Sequence, residues 1–150
     1  MDKAIRILVV DDDPNIRNTI KAILEDEGYS VDLAENGHQA IEKTEAGCYN
    51  IALLDIRLPD IEGVELLTRM KDAVPRMRKI MVTGFPSVDN AIEAVNRKAD
   101  AYLVKPVDLN KLLSTIRTQV ELQEMERKYS ELKVAEFIEA RIKEIAEPVV

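Results

Sequence analysis

The stretch ILVVDDDP, residues 7–14, joins four consecutive apolar residues to three aspartates and a proline. A strand with one solvated face alternates apolar and polar residues, whereas a continuous apolar run is typical of a strand buried on both faces of a parallel sheet. Pro14 suits the first turn of a helix, because the N–H that it lacks has no partner there. The stretch therefore predicts a buried strand, an acidic loop and a helix.

The run over residues 5–10 is the first of five; the others cover residues 31–34, 51–54, 79–82 and 101–104. Segments with helical spacing lie between them, and in the fourth of these Val88, Ala91, Ile92 and Val95 mark the face expected to be buried. Right-handed crossovers then give a doubly wound sheet. The predicted fold class is α/β, a flavodoxin-like five-stranded parallel sheet of order 2-1-3-4-5 with a long C-terminal helical extension.

The C-terminal part of the chain has a different composition. From Asp108 to Glu147 there is no glycine or proline, and apolar residues recur at 122, 125, 129, 132, 135, 138, 142 and 145. These steps of three and four are close to the heptad spacing of a coiled coil. We predict a domain over residues 1–118 and a helical extension over residues 119–150, either a coiled coil or a linker. A solvated, fraying tail is the simpler alternative.

Charge and cysteine content narrow the class of protein. The net charge of −7 argues against binding along a nucleic acid backbone, which needs a basic face, and suits cation binding. Cys48 is the sole cysteine of the 150 residues, so no internal disulfide can form and a reducing compartment is expected. The N-terminal apolar run is too short for a signal peptide or a membrane span. We therefore expect a cytoplasmic protein that binds neither nucleic acid directly nor a membrane.

Residues that could carry chemistry follow four of the predicted strands: Asp11-Asp12-Asp13, Asp55, Thr83 and Lys105. The carboxyl ends of parallel strands share one edge of a sheet, where ligands bind at the switch point of strand order. Crowded carboxylates raise one another's pKa unless a cation neutralises them, and Mg²⁺ accepts oxygen ligands and bridges to phosphate. A carboxylate nucleophile, Mg²⁺, an ammonium and a hydroxyl together predict a phosphoryl-transfer site.

Four strings give this pattern a specific resemblance: ILVVDDDP, LLDIRLPDIEG, MVTGFPS and AYLVKP. In their order and spacing over about residues 4–118, they resemble the receiver domain of bacterial and archaeal two-component response regulators. The resemblance implies that Asp55 is the phosphoacceptor and that a histidine kinase or phosphotransfer protein donates the phosphoryl group. It further implies that such a chain is not an enzyme beyond catalysing its own phosphorylation and dephosphorylation.

The same resemblance assigns roles around Asp55. Asp12 would bind Mg²⁺ directly and Asp11 would assist through water, while Arg57 would lend its backbone carbonyl. Asp55, Pro59 and Gly63 match the family's D-x-x-x-P-x-x-x-G, which shapes the loop over the metal.

Three further roles follow from the resemblance. Thr83 and Lys105 would contact the phosphoryl group, and Tyr102 matches the aromatic residue that switches together with Thr83. The peptide bond before Pro106 would be cis. Asp13, by contrast, we interpret as the N-cap of the first helix, because Pro14 follows it.

The strongest alternative is a haloacid-dehalogenase-like phosphatase, with Asp11 as nucleophile and Asp13 as acid. Asn15 stands where those enzymes favour Thr or Val, and no acidic pair follows a later strand. That reading also leaves Asp55 and its loop motif unexplained. The sequence names neither the kinase nor the output, and for the extension it leaves a homodimer, a docking helix for a partner and a fold back onto the domain all open.

Overall fold

A computed structural model of the chain describes residues 4–70, 76–84, 87–96 and 98–146. Five parallel strands form one sheet in the order β2-β1-β3-β4-β5. The strands are Arg6–Val10 (β1), Ser30–Ala34 (β2), Ile51–Asp55 (β3), Arg78–Thr83 (β4) and Ala101–Val104 (β5). The predicted fold class and strand order are confirmed.

Five helices connect and follow the strands. They are Pro14–Asp26 (α1), Gly37–Ala46 (α2), Gly63–Arg69 (α3), Val88–Asn96 (α4) and Leu109–Ala146 (α5). Asp13 is the N-cap of α1, as predicted, and its side chain accepts hydrogen bonds from the backbone N–H groups of Asn15 and Ile16. At the other end of α1 the chain turns at Gly28, whose φ of +93° lies in the left-handed region that favours glycine.

Burial on both faces explains why the strand sequences are continuous apolar runs. Successive side chains of a strand point to opposite faces of the sheet. Ile7 and Val9 pack against the layer that contains α1 and α5, whereas Leu8 and Val10 pack against α2, α3 and α4. All four of these side chains are at most 1% exposed. No position in the middle of β1 therefore faces water.

Helix α4 departs from the sequence prediction. Ile92 and Val95, assigned by spacing to the buried face, are 54% and 71% exposed, while Ala94 is buried. Two apolar stripes overlap on this short helix, and periodicity alone does not distinguish them. The small side chain of Ala94 faces the core cluster of the sheet. The side chain of Val88 lies outside the described residues.

Helix α5 is one continuous helix of 38 residues, about 57 Å long. Leu112, Leu113 and Ile116 cover the sheet, and two buried glutamines, Gln119 and Gln123, extend this face beyond the apolar part. Gln123 donates to the carbonyls of Asn50 and Arg76 and accepts from the Asn50 amide, at 2.8–3.0 Å. The first two turns past residue 118 therefore contact the sheet end opposite the acidic loop.

Charged side chains complete this contact, which we call the basal cluster: Asn50, Arg76, Arg78, Asp100, Gln119, Gln123 and Glu126. The Arg78 guanidinium, whose side chain is 9% exposed, donates to Glu126 of α5 and to Asp100. Arg76 binds both carboxylate oxygens of Asp100, at 2.7 and 3.0 Å. A buried cation that loses its partners destabilises a fold strongly, so this part of the extension matters for stability.

Past the basal cluster Arg127 is half-buried, and residues 128–146 of α5 are all exposed. Among the residues described, no helix combines the length and apolar character needed to cross a membrane. The division at residue 118 and the cytoplasmic location stay predictions, and residues 147–150 of the extension lie outside the described residues.

Truncation within α5 tests the basal cluster. A chain ending at Thr118 loses Gln119, Gln123 and Glu126, whereas one ending at Lys128 keeps them. Because each buried polar group left without a partner costs about 1–3 kcal/mol, we expect the shorter chain to be less stable by roughly 2–4 kcal/mol in urea unfolding. Equal free energies of unfolding for the two chains would contradict the role given to the cluster.

Candidate functional site

The predicted site residues meet at the carboxyl ends of four strands. Asp11 follows β1, Asp55 and Thr83 are the last residues of β3 and β4, and Lys105 follows β5 directly. These strands are neighbours, because β1 pairs with β3, β3 with β4 and β4 with β5. β1 also pairs with β2 on its other side, so the acidic loop leaves the sheet at the switch point of strand order, where ligands bind in this architecture.

Three carboxylates converge there. Asp11, Asp12 and Asp55 each offer an oxygen, and these oxygens all lie within 4.8 Å of one another. Asp11 and Asp55 are buried, at 3% and 6% exposure, whereas Asp12 is exposed. The site thus has two carboxylates at its base and one that reaches it from the solvent side.

Lys105 bridges the two buried carboxylates. Its Nζ donates to Oδ2 of Asp11 at 2.7 Å and to Oδ2 of Asp55 at 3.1 Å. The second oxygen of each carboxylate accepts from the backbone: Oδ1 of Asp11 from the N–H of Asp13 at 2.9 Å, and Oδ1 of Asp55 from the N–H of Arg57 at 3.2 Å. Both carboxylates are therefore oriented through both oxygens. The Lys105–Pro106 peptide bond is cis, as predicted.

Burial and neighbouring charges have opposing effects on the pKa values of Asp55 and Lys105. Burial raises the pKa of Asp55, the Lys105 ammonium lowers it, and the Asp11 charge raises it again, so that the net shift is upward. Burial alone would lower the pKa of Lys105, but Asp11 and then Asp55 raise it, and the net shift is also upward. The Lys105 ammonium therefore stays charged, while burial makes the ionised form of the Asp55 carboxylate less favourable.

The loop between β3 and α3 explains the spacing from Asp55 to Gly63. A Cβ on Gly63 would lie 2.0 Å from the carbonyl oxygen of Asp55, which is closer than real Cβ contacts, so only glycine fits this position. The Gly63 N–H donates to the Ile56 carbonyl at 2.6 Å, and Arg57 pairs with Glu62 in an isolated antiparallel bridge. The loop therefore closes against the backbone of Asp55 and Ile56.

The two predicted switch residues occupy neighbouring strands. Thr83 is fully buried, and its carbonyl accepts from the Lys105 N–H at 2.7 Å. Tyr102 packs against the core cluster that contains β3 and β4 residues. Its hydroxyl is buried and has no hydrogen-bond partner among the described residues. Phe85 and Pro86 of the string MVTGFPS lie outside those residues.

Two residues that bind the backbone of segments around the site were not singled out in the sequence. Arg17 is buried in α1, and its Nη1 donates to the Asp11 carbonyl at 2.6 Å; its position on the apolar side of an amphipathic helix was the available signal. Asp60, in the β3–α3 loop, accepts from two backbone N–H groups of α2. Its place within the string LLDIRLPDIEG gave no indication of that contact, because α2 is distant in sequence.

The donor set fits a hard divalent cation. Carboxylate oxygens are the ligands that Mg²⁺ prefers, and the exposed Asp12 leaves one side of the cluster open to water, which Mg²⁺ retains. Arg57 lies in the loop over the cluster, and its N–H contacts Asp55; the use of its carbonyl as a ligand stays a prediction.

A sequence profile of the response regulator receiver domain matches residues 7–117. The chain is 41% identical over 110 residues to the transcriptional regulatory protein ZraR of Klebsiella oxytoca, which covers 73% of this chain and 25% of ZraR. It is 36% identical over 124 residues to the alginate biosynthesis transcriptional regulatory protein AlgB of Pseudomonas aeruginosa, covering 83% of this chain and 28% of AlgB. The chain thus spans less than a third of the length of these relatives.

Solved structures of response regulators resemble the fold of this chain. A CheY-like response regulator receiver domain protein from Methanospirillum hungatei JF-1 superposes with a TM-score of 0.79 at 45% identity, over 83% of this chain and 99% of that one. NtrX from Brucella abortus, solved in complex with ADP, gives a TM-score of 0.79 at 29% identity over 87% of this chain and 30% of NtrX. None of these similarities supports the phosphatase alternative.

The upward shift of the Asp55 pKa predicts a pH-dependent gain from Asp55→Asn. Asp55 binds its proton more tightly when folded, so its contribution to stability is present below its unfolded pKa and is lost as pH rises through the folded value. The substitution removes this loss. Without divalent ions, we expect the melting temperature of Asp55→Asn to exceed that of the wild type by several degrees at pH 7.

The same gain should shrink as the pH falls toward 4, because wild-type Asp55 then takes up its proton. Melting curves in EDTA across this range test both points. A gain that is independent of pH, or a loss at pH 7, would contradict the electrostatic account.

Proposed function

Because this chain belongs to the response regulator receiver domain family, we propose that Asp55 accepts the phosphoryl group in a Mg²⁺-dependent reaction. The observation that carries this assignment is the position of Asp55. It ends β3, and one of its carboxylate oxygens lies within 4.8 Å of oxygens of two other carboxylates, with the Lys105 ammonium 3.1 Å away. Asp11 belongs to the same group of carboxylates, but the Lys105 ammonium lies closer to it, at 2.7 Å.

Response regulators receive their phosphoryl group from histidine kinases or phosphotransfer proteins. In the proposed step, an oxygen of Asp55 forms the bond to phosphorus as the bond from phosphorus to the donor's imidazole nitrogen breaks, and the imidazole takes that electron pair. Asp11, Asp12, Asp55 and the Arg57 carbonyl would hold Mg²⁺, which supplies positive charge to the phosphoryl oxygens. Lys105 would then leave its two carboxylates to bind one of those oxygens.

Thr83 and Tyr102 are the proposed switch. Phosphorylation would favour one of two pre-existing conformations, in which the Thr83 hydroxyl donates to the phosphoryl group. The unpartnered hydroxyl of Tyr102 supports this assignment, since a buried hydroxyl without a hydrogen bond stabilises its conformation poorly. The chain would act on no substrate other than its own Asp55. We also propose that the chain does not bind nucleic acid directly, because its net charge of −7 opposes contact with a phosphate backbone.

Labelling with acetyl phosphate tests the assignment. With Mg²⁺ we expect one label per chain, on Asp55 by peptide mapping, and none on Asp55→Asn. Asp12→Ala should reduce labelling at least 10-fold, because removal of a metal ligand or its supporting group typically costs that much, while its melting temperature in EDTA stays at the wild-type value or rises. A label on Asp11 would refute the assignment and restore the phosphatase reading.

A second proposal concerns residues 118–147: we propose that α5 pairs there with a second copy of the chain. Large apolar side chains between 38% and 78% exposed lie along this helix, namely Leu122, Met125, Tyr129, Leu132, Val134, Phe137, Ile138, Ile142 and Ile145. So large an apolar surface on a helix that projects from its domain favours a partner. A helix pair is favoured by the heptad steps from Leu122 to Leu132.

The polar side chains of the extension support a helix that persists before it pairs. Arg127 forms ion pairs with Glu124 and Glu131, and Arg141 with Glu144, all within one turn of the helix. The basal cluster fixes the start of the extension on the domain through Glu126 and Gln123. Residue 147, the end of the proposed segment, lies outside the described residues.

Two matched substitutions test the pairing. Leu132→Glu places a charge on the apolar seam, whereas Ser130→Glu adds the same charge at an exposed position beside it. In light scattering at tens of micromolar, we expect the wild type and Ser130→Glu to be dimers and Leu132→Glu to be a monomer, because a buried charge opposes pairing. A monomeric wild type, with or without phosphorylation, would exclude the dimer.

A further inference from the structure

The tip of the β3–α3 loop forms hydrogen bonds to the beginning of helix α2. Oδ1 of Asp60 accepts from the N–H of Gly37 and Oδ2 from the N–H of His38, both at 2.9 Å. These partners are 22 and 23 positions away in the sequence. The first N–H groups of a helix have no partner within it, and they attract negative charge. Asp60 thus joins the phosphoacceptor loop to a second element through both carboxylate oxygens.

Steric fit brings the two segments into close contact at the same place. Gly37 is buried, and a Cβ added to it would lie 1.9 Å from Cγ2 of Ile61 and 3.3 Å from Oδ1 of Asp60. The φ of Gly37 is not in the left-handed region. This position therefore requires glycine because there is no space for a side chain, and not because of its backbone conformation. A larger residue would displace the side chain of Ile61 and press on that of Asp60, both at the loop tip.

The same loop determines the surroundings of Asp55 at its other end. Arg57, three residues before Asp60, donates its N–H to Oδ1 of Asp55 at 3.2 Å. The base of the loop is closed by the bridge between Arg57 and Glu62 and by Gly63. Asp60 adds an attachment at the tip, so the segment that carries Arg57 is held on both sides.

We propose that Asp60 is a positioning residue for the phosphoacceptor site: by capping α2 it fixes the Asp55–Gly63 loop, and so keeps Arg57 in place against Asp55. This inference rests on the proposed function, because it concerns the site at which the phosphoryl group and Mg²⁺ bind. Asp60 contacts α2 and not the carboxylate cluster. Its effect on the site is therefore transmitted through the loop backbone.

The decisive experiment compares Asp60→Ala with Asn36→Ala. The Asn36 side chain accepts from the Gln39 N–H at 2.8 Å, so its loss weakens the same end of α2 without touching the loop. Three quantities are measured on each variant of the 150-residue chain: ¹⁵N order parameters of the amides of residues 57–62 other than Pro59, in EDTA; the dissociation constant for Mg²⁺ by NMR titration; and the rate of labelling by acetyl phosphate.

For Asp60→Ala we expect loop order parameters to fall from about 0.85 to below about 0.6. Affinity for Mg²⁺ and the labelling rate should each fall roughly 10-fold, as for other outer partners of metal sites. Asn36→Ala should lower the melting temperature comparably and leave all three quantities at the wild-type values. Gly37→Ala, whose Cβ would displace the side chains of Ile61 and Asp60 without changing charge, should reproduce the effects of Asp60→Ala.

Two results would overturn the proposal: wild-type order parameters and Mg²⁺ affinity in Asp60→Ala, or equal effects in Asp60→Ala and Asn36→Ala, which would reduce Asp60 to a helix cap. If Asp60→Ala does not fold, Asp60→Asn keeps the shape and one acceptor, and intermediate effects are expected from it. A wild type that takes no label refutes the proposed function, while the order parameters still decide whether Asp60 positions the loop.

Discussion

The ammonium of Lys105 between two buried carboxylates is the interaction on which the rest of the site depends. Asp11 and Asp55 come from adjacent strands and are both nearly inaccessible to water, so without a cation their charges would oppose each other's ionisation. Lys105 neutralises part of that charge from the end of β5, and a divalent ion would neutralise more. The site thus favours a ligand that brings further positive charge.

The strands that end at the site begin at the basal cluster. β4 runs from Arg78 to Thr83, and Asp100 directly precedes β5, which Lys105 follows. Arg78 and Asp100 bind the start of the extension through Glu126 and Gln119. The proposed site and the helical extension therefore lie at opposite ends of the same two strands.

The loop after Asp55 shows how local sequence and distant contacts combine. Gly63 is needed because a Cβ at this position would collide with the Asp55 carbonyl. Both residues belong to one short segment, so the spacing of the sequence motif already indicated this requirement. Gly37 is needed because Ile61 lies against it, and Asp60 binds the N–H groups beside it. That second set of contacts joins segments more than twenty residues apart, so no local pattern revealed it.

The sequence by itself determined the fold class and the residues at the carboxyl edge, because buried parallel strands require continuous apolar runs and their ends share one side of the sheet. The predicted strand order is the one common to flavodoxin-like sheets, and the structure confirmed it. It also identified Asp13 as a cap, since capping is a local interaction. Only the tertiary structure decided which face of α4 is buried, which backbone groups Arg17 and Asp60 bind, and where α5 leaves the sheet. Each of these depends on side chains from separate elements meeting in space, and periodicity along one element carries no information about its neighbours.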